Sequence, residues 1–231
     1  GADDKHQTFL DTGRIAEDLG AASIALHART AEQLYSGEAN WTKIEALKQS
    51  VTSIPVFGNG DIWEPWDALR MMRSTGCDGV VVGRGCLGRP WLFRDLASVF
   101  GITSESGGQE PTDPPVLRDV SETMIRHASL LIDWAGPQGI KDFRKHTSWY
   151  LKGYATGPAA RHALKMIESL DDLKLCLSDL NSDLSLDPES LRIPRSHRGG
   201  PRKVALPEGW LDNPEDVTPP PAEAEVLVSG G

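Results

Sequence analysis

Three short runs of apolar, β-branched residues constrain this chain more than any other feature of its sequence. They lie at residues 22–26, 54–57 and 79–82. Each run is continuously apolar instead of alternating, which is typical of strands buried on both faces of a parallel sheet. A helical stretch precedes each run, and the runs begin roughly thirty and then twenty-five residues apart, which is the spacing of βα units. The sequence therefore predicts an α/β fold with a parallel sheet.

Residues typical of helix starts and ends precede these three runs. Residues 9–19 are apolar at helical spacing and are followed by Gly20, a residue that commonly ends helices. A capping-box spacing that begins at Thr42 predicts a helix over 42–48. A third helix is predicted over 65–74, because this segment begins with a proline, which suits a first helical turn.

The second half of the chain predicts a different architecture. Residues 103–115 are rich in Ser, Gly and Pro, which is typical of a linker. Residues 116–181 predict four helices, the first with one apolar stripe that runs from Leu117 to Trp134. Residues 182–231 are rich in Pro, Gly and charge, and we expect them to be mostly disordered. The predicted parts are an α/β domain at 1–102, the linker, the helical domain and the tail.

The composition excludes several classes of protein. The 231-residue chain contains no run of about eighteen apolar residues, so it offers no candidate membrane span. The three cysteines, Cys77, Cys86 and Cys176, form neither a disulfide framework nor a CxxC metal motif. We therefore expect a cytoplasmic location, no bound metal, no membrane contact and no obligate protein partner.

The charge of the chain is acidic on average but unevenly distributed. The formal net charge is -9, which is the wrong sign for a protein that simply coats nucleic acid. Residues 141–165 nevertheless contain six Lys or Arg and one acidic residue, and residues 192–203 contain five Lys or Arg and no acid. A basic face is compatible with the acidic average, so RNA binding stays open.

Polar or glycine-rich segments follow all three predicted strands. Ligands of parallel α/β folds bind at the carboxyl ends of strands, and in (β/α)₈ barrels the loops after the last two strands often hold a phosphate. Glycines let backbone N–H groups approach an anion, and an arginine adds a charge-assisted contact. Two such turns after adjacent strands predict a site for a phosphate-bearing cofactor. The residues concerned are His27, Arg29, Asn59, Gly60, Asp61, Gly83 and Arg84.

Each of these features also has an ordinary structural interpretation. The histidine suits the interior of a fold, the Asn-Gly pair suits a bare tight turn, and the arginine suits a surface ion pair. The basic and aromatic segment that contains Arg144, Lys145 and Lys152 also fits an amphipathic helix with buried aromatic rings and solvated cations. The residues by themselves leave these alternatives open.

Four segments resemble one protein family in both order and spacing. They are HARTAEQLYSGEANW at 27–41, IPVFGNGDI at 54–62, GCDGVVVGRGCLGRPWLF at 76–93 and FRKHTSWYLKG at 143–153. Together they resemble the tRNA-dihydrouridine synthases, and the resemblance covers about residues 1–180. It implies the C-terminal part of a (β/α)₈ TIM barrel that binds FMN, followed by a small all-helical domain that binds tRNA.

The resemblance also implies a reaction. In this family the C5–C6 bond of a uridine in tRNA is reduced, with NADPH as the reductant that recharges the flavin. Hydride passes from the flavin to the base, and a cysteine acts as the general acid.

Roles for individual residues follow from the matching motifs. The implied ligands of FMN are His27, Asn59, Gly60, Asp61, Gly83 and Arg84. The implied RNA contacts are basic and comprise Arg29, Arg144, Lys145 and Lys152. Within these sets, Gly83 and Arg84 are expected at the phosphate of FMN, and Arg29 faces either the flavin or the RNA.

The chain also departs from the family pattern. The catalytic cysteine, the first flavin-binding segment and a flavin-contacting lysine of the family have no match in this chain, and its three cysteines lie at other positions. We therefore assign no catalytic residue here and expect about three of the eight βα units. Because three parallel strands do not close a barrel, we expect the chain alone to bind FMN weakly or not at all and to lack synthase activity.

Two other functions compete with this interpretation. A non-catalytic RNA-binding module would use only the helical domain and the basic part of the tail. Another FMN-dependent barrel oxidoreductase, of the dihydroorotate or dihydropyrimidine dehydrogenase type, accounts for the glycine-rich turns but not for the basic helix.

Overall fold

Helices and strands alternate in the first part of the chain. The computed structural model describes residues 1–101, 114–193 and 195, and beyond them 204, 206, 209–213, 215, 216, 218 and 219. The first elements are α1 (Phe9–Asp18), β1 (Ile24–His27), α2 (Trp41–Ser50), β2 (Val56–Asn59), α3 (Pro65–Thr75) and β3 (Gly79–Val81). The predicted linker at 103–115 lies almost entirely outside the described residues.

Helices make up the remainder of the regular structure. A 3-10 turn at Arg84–Cys86 leads to α4 (Leu92–Val99), which is followed by α5 (Leu117–Ala135), α6 (Gln138–Tyr150), α7 (Gly157–Met166), α8 (Leu170–Ser178) and a 3-10 turn at Pro188–Arg192. None of the helices in the described part of the chain is long and apolar enough to span a lipid bilayer.

The chain divides into two compact units. Unit 1 comprises Gly1–Gly60 and Ser74–Val81 with the described residues after 197, and unit 2 comprises Asp61–Arg73 and the described residues of Val82–Ser196. This division differs from the predicted boundary near residue 102, because residues 61–73 and 82–101 group with the helices that follow.

Unit 1 is built around a three-stranded parallel sheet with the order β1-β2-β3. Ile24 pairs with Val56 at the start of the first ladder, and His27 pairs with Asn59 at its end. Asn59 in turn pairs with Val81 of β3. Because all three strands run in the same direction, their carboxyl ends lie at one edge of the sheet.

The two faces of this sheet differ in burial. On one face Ile24 and Leu26 pack with Val56 against α2, where Leu47 and Val51 are fully buried. The opposite face is lined by the alternate residues of each strand, and among the described residues no helix layer covers it. β1 therefore alternates between half-buried and exposed positions, so the expectation of burial on both faces is wrong for this strand.

Unit 2 has a separate core formed by its helices. Leu117, Val120 and Met124 of α5 are fully buried and pack with Ile140 and Phe143 of α6. α5 and α6 form a tight hairpin. The two helices approach so closely that a Cβ at Gly139 would overlap the backbone of Leu131 and Ile132. This close approach explains why a glycine stands in the first turn of α6.

The segment after α8 corrects the expectation of disorder for residues 182–193. Leu186 is buried in the core of unit 2, and the Asp187 N–H donates to the Gly153 carbonyl at 3.0 Å. The side chain of Asp187 then caps the 3-10 turn at Pro188–Arg192. A few apolar and capping residues are enough to order this segment, although its sequence shows little apolar periodicity.

Candidate functional site

A row of three residues crosses the carboxyl edge of the sheet in unit 1. His27 Nδ1 lies 2.5 Å from Asn59 Oδ1, and Asn59 Nδ2 donates to the Val81 carbonyl at 2.6 Å. Since the amide nitrogen of Asn59 is the donor to Val81, its oxygen accepts from His27, and Nδ1 carries the hydrogen of that bond.

The turn after β2 has an unusual backbone conformation. Gly60 has φ +128°, and Asp61 that follows has φ +58°, which is uncommon for a residue with a side chain. In unit 1 the Trp41 indole N–H donates to the Gly60 carbonyl at 3.1 Å and holds the first half of the turn. Strained backbone of this kind clusters at functional sites.

The turn after β3 is built from glycines in unit 2. Gly85 is buried, and a Cβ at this position would overlap the carbonyl oxygen of Ile62, which follows the GNGD motif directly. Gly83 is exposed, and an added Cβ there would meet no described atom within 4 Å. The backbone at Gly83 is therefore open to a ligand, and the neighbouring Arg84 guanidinium suits an anionic group. These residues fit the phosphate group of a cofactor such as FMN.

A shallow, open pocket lies beside the end of β1 in unit 1, with His27, Arg29, Gln33, Asn40 and Lys43 among its lining residues. Sequence reasoning missed Asn40 and Lys43. Asn40 caps α2 by accepting from the Thr42 N–H, and Lys43 lies in the first turn of that helix. Their position in a βα loop at the carboxyl end of a strand is the signal that could have identified them.

Arg29 lies at the wall of this pocket and is largely engaged by its own loop. Its Nη2 donates to the Gly37 carbonyl at 2.8 Å, and its Nε lies 3.4 Å from the Ser36 carbonyl. These contacts order the loop between β1 and α2. A role of Arg29 toward flavin or RNA stays a prediction.

The three predicted RNA-binding residues near the end of α6 have different surroundings. Arg144 is half-buried, and its Nε donates to the Ile167 carbonyl at 2.6 Å, so this side chain also links α6 to the end of α7. Lys145 is exposed on α6, and Lys152 is half-buried just after the helix. Lys145 is thus the best placed of the three to contact a phosphate in solution.

The three cysteines do not form a nucleophilic or metal site. The Cys86 thiol donates to the Gly83 carbonyl at 3.1 Å, and burial raises its pKa, so it stays protonated at neutral pH. Burial likewise raises the pKa of Cys176. No cluster of His, Cys, Asp or Glu suited to a metal ion occurs in the described part of the chain.

Comparisons with known proteins show which family this chain resembles. A family model described as dihydrouridine synthase (Dus) matches residues 1–184. A probable tRNA-dihydrouridine synthase of Mycobacterium tuberculosis strain H37Rv is 50% identical over 232 residues, which cover 100% of this chain and 58% of that protein.

More distant relatives match a shorter part of the chain. The tRNA-dihydrouridine synthase B of Pseudomonas putida is 35% identical over 83% of this chain and 54% of that protein. Its counterpart in Escherichia coli K12 is 36% identical over 73% of this chain and 50% of that protein. The chain thus spans between half and three-fifths of the length of these relatives. On the extent of the family match, the chain belongs to the dihydrouridine synthase family.

Proposed function

We propose that this chain provides FMN-binding and tRNA-binding elements of a tRNA-dihydrouridine synthase, which reduces uridine in tRNA to 5,6-dihydrouridine with NADPH as reductant. The observation that carries the proposal is the His27–Asn59–Val81 row at the carboxyl edge of a parallel sheet, in a chain whose residues 1–184 match the family. The match covers both glycine-rich turns and the basic helix α6, which favours the synthase over another flavin-dependent barrel enzyme.

The residues named for FMN have different tasks in this proposal. His27, held by Asn59, orients and hydrogen-bonds the flavin ring, and the turn at Gly60 lets the backbone come close to the cofactor. The open backbone of Gly83 and the guanidinium of Arg84 bind the cofactor phosphate. When bound, FMN supplies the hydride that reduces the C5–C6 bond of the uridine.

The helical part of unit 2 binds RNA in this proposal. Lys145 contacts phosphates from the exposed side of α6, and Lys152 extends the basic surface past the helix end. Arg144 supports the same surface from beneath through its bond to the Ile167 carbonyl. Phosphate contacts of this kind contribute affinity without base specificity.

The 231-residue chain by itself will bind FMN weakly or not at all. The three strands leave one sheet face without a helix layer among the described residues, and Val81 on that face is 42% exposed. Titration of the purified chain with FMN, followed by flavin fluorescence, measures the affinity. Riboflavin, which lacks the phosphate, is the matched control for the turn at Gly83. Stoichiometric binding at micromolar FMN would contradict this expectation.

Charge reversal at Lys145 will weaken tRNA binding. Because a phosphate contact releases a counterion, Lys145→Glu should lower the affinity for tRNA by about tenfold and reduce the slope of log K against log salt by about one. Electrophoretic or fluorescence titrations with tRNA at several salt concentrations measure both quantities. Lys174→Glu on α8, another exposed lysine of unit 2, is the control. Equal losses in both variants would place the RNA elsewhere.

A further inference from the structure

Two arginines of unit 2 are buried without an acidic partner. Arg89 is 3% exposed and Arg195 is 2% exposed. Arg89 donates to the carbonyls of Gly85 and Trp63. Arg195 donates from Nη1 to the carbonyls of Leu87 and Trp149, at 2.9 and 2.6 Å. Within the described residues neither guanidinium forms an ion pair, although buried cations in proteins are normally paired.

The remaining nitrogens of Arg195 have unused hydrogen-bonding capacity. Nε and Nη2 are both buried and have no hydrogen-bond partner in the described part of the chain. These two N–H groups lie on one edge of the planar guanidinium, and this edge binds two oxygens of a carboxylate or phosphate at once. Arg195 therefore presents a complete and unoccupied fork in a buried position.

The nearby carboxylates are committed to other cations. Asp67 is 2% exposed and accepts from Arg70 and from Arg192, the latter at 2.9 Å. Glu64 pairs with Arg192 at 2.7 Å. Burial, together with repulsion from Arg89, lowers the pKa of Arg195 to about 9, which still leaves the guanidinium charged at neutral pH. Arg195 therefore carries a positive charge and two N–H donors that have no hydrogen-bond partner in the described part of the chain.

We propose that Arg195, supported by the positive charge of Arg89, binds a small oxyanion of the phosphate type, where the segment at Leu87 meets the end of α6. The ligand is small because both vacant nitrogens are buried, which excludes a polymer from direct approach. The guanidinium of Arg195 is held by the carbonyls of Leu87 and Trp149, whereas the proposed flavin-phosphate turn is formed by Gly83 and Arg84. Bound anion would hold the segment that carries Arg195 against the rest of unit 2.

Thermal unfolding of the chain in increasing inorganic phosphate, with ionic strength held constant by chloride, tests this proposal. The melting temperature of the wild type should rise with phosphate, because a ligand that binds only the folded state stabilises it. Arg195→Met should weaken phosphate binding roughly 10- to 100-fold, the loss expected for hydrogen bonds to a charged group. Arg118→Met removes an exposed arginine that pairs with Asp183 and is the matched control.

A second variant separates this site from the proposed flavin-phosphate turn. A phosphate-dependent rise that survives Arg84→Met and disappears in Arg195→Met supports the proposal, whereas the reverse pattern overturns it. A short RNA should not displace the phosphate, because both donor nitrogens of Arg195 are buried. Displacement by RNA would overturn the proposal. If Arg195→Met fails to fold, calorimetric titration of the wild type and of Arg84→Met decides, and no phosphate binding by either overturns the proposal.

Discussion

Gly88→Ala is expected to lower the free energy of unfolding of unit 2 by roughly 2–5 kcal/mol, the sum of a left-handed backbone penalty and an overpacking penalty. Gly88 has φ +66°, and a Cβ at this position would overlap the backbone of Trp149 and Tyr150 at the end of α6. The backbone atoms of these two residues cannot rotate away as the end of a side chain can. Chemical denaturation followed by tryptophan fluorescence measures the loss.

Gly101→Ala is the matched control for this experiment. Gly101 has φ +68°, almost the same conformation, but an added Cβ would meet no described atom within 4 Å. Its substitution should therefore cost about 1–2 kcal/mol, the conformational penalty alone. If the two variants lose the same stability, the close contact between the Gly88 turn and α6 is not present in solution.

Stability will fall as the pH drops below about 6.5, because two half-buried histidines lie between α5 and α6 of unit 2. The ring centroids of His127 and His146 lie 4.7 Å apart. Burial, together with the charges of His127 and Lys145, lowers the pKa of His146 to about 4, and Asp142 opposes this shift. Burial also lowers the pKa of His127.

The sign and size of this effect follow from proton linkage. The unfolded chain, with an ordinary histidine pKa of 6.5, takes up a proton at a higher pH than the folded protein. The contribution of His146 is therefore complete above about pH 6.5 and is lost progressively toward pH 4. Because the ring is only half-buried and solvent screens its charge, we expect this loss to be about 1–2 kcal/mol. Other groups add their own pH dependence, so the difference between variants is the useful quantity.

Denaturation curves at several pH values between about 7 and 4 measure that difference. His146→Gln should flatten the dependence of stability on pH, because the substitution removes the titrating group. His162→Gln removes an exposed histidine on α7 of the same unit and should keep the wild-type profile. Parallel profiles for the wild type and His146→Gln would contradict a buried, neutral His146.

Much of the fold could be predicted because apolar runs and helix-end residues act locally. The predicted strands agree with β1, β2 and β3 to within two residues at every end, and the helix predicted over 65–74 agrees with α3 to within one residue. The capping box at Thr42 is wrong, because Asn40 caps α2 instead. Asn40 accepts from the Thr42 N–H, so the helix begins at Trp41 and Thr42 lies inside its first turn. Spacing alone does not decide which of the two polar residues is the N-cap.

The burial of individual side chains was harder to predict, because it depends on which other elements pack against each helix or strand. Trp134 continues the apolar stripe of α5 in the sequence, yet it is 83% exposed. Gly139, in the first turn of α6, approaches Leu131 and Ile132 near the end of α5, but this contact leaves Trp134 exposed. Apolar periodicity shows which face of a helix packs against a neighbour, but it does not show how many turns of that face the neighbour covers.

The candidate site was only partly predictable for a similar reason. The carboxyl ends of parallel strands meet at one edge, so the neighbourhood of His27 and Asn59 follows from the order of elements. The contacts of Arg144 and Arg195 are made to carbonyls of distant residues. Every residue has such a carbonyl, so these contacts leave no pattern in the sequence.

Mapping of dihydrouridine in the tRNA of a strain that lacks the full-length gene whose product contains this chain tests the proposed function most directly. The account predicts that dihydrouridine disappears from at least one tRNA position and returns when the gene is restored. A restored gene that carries Asn59→Ala should return less, because His27 then loses its partner. Unchanged dihydrouridine at every position in the deletion strain would contradict the account.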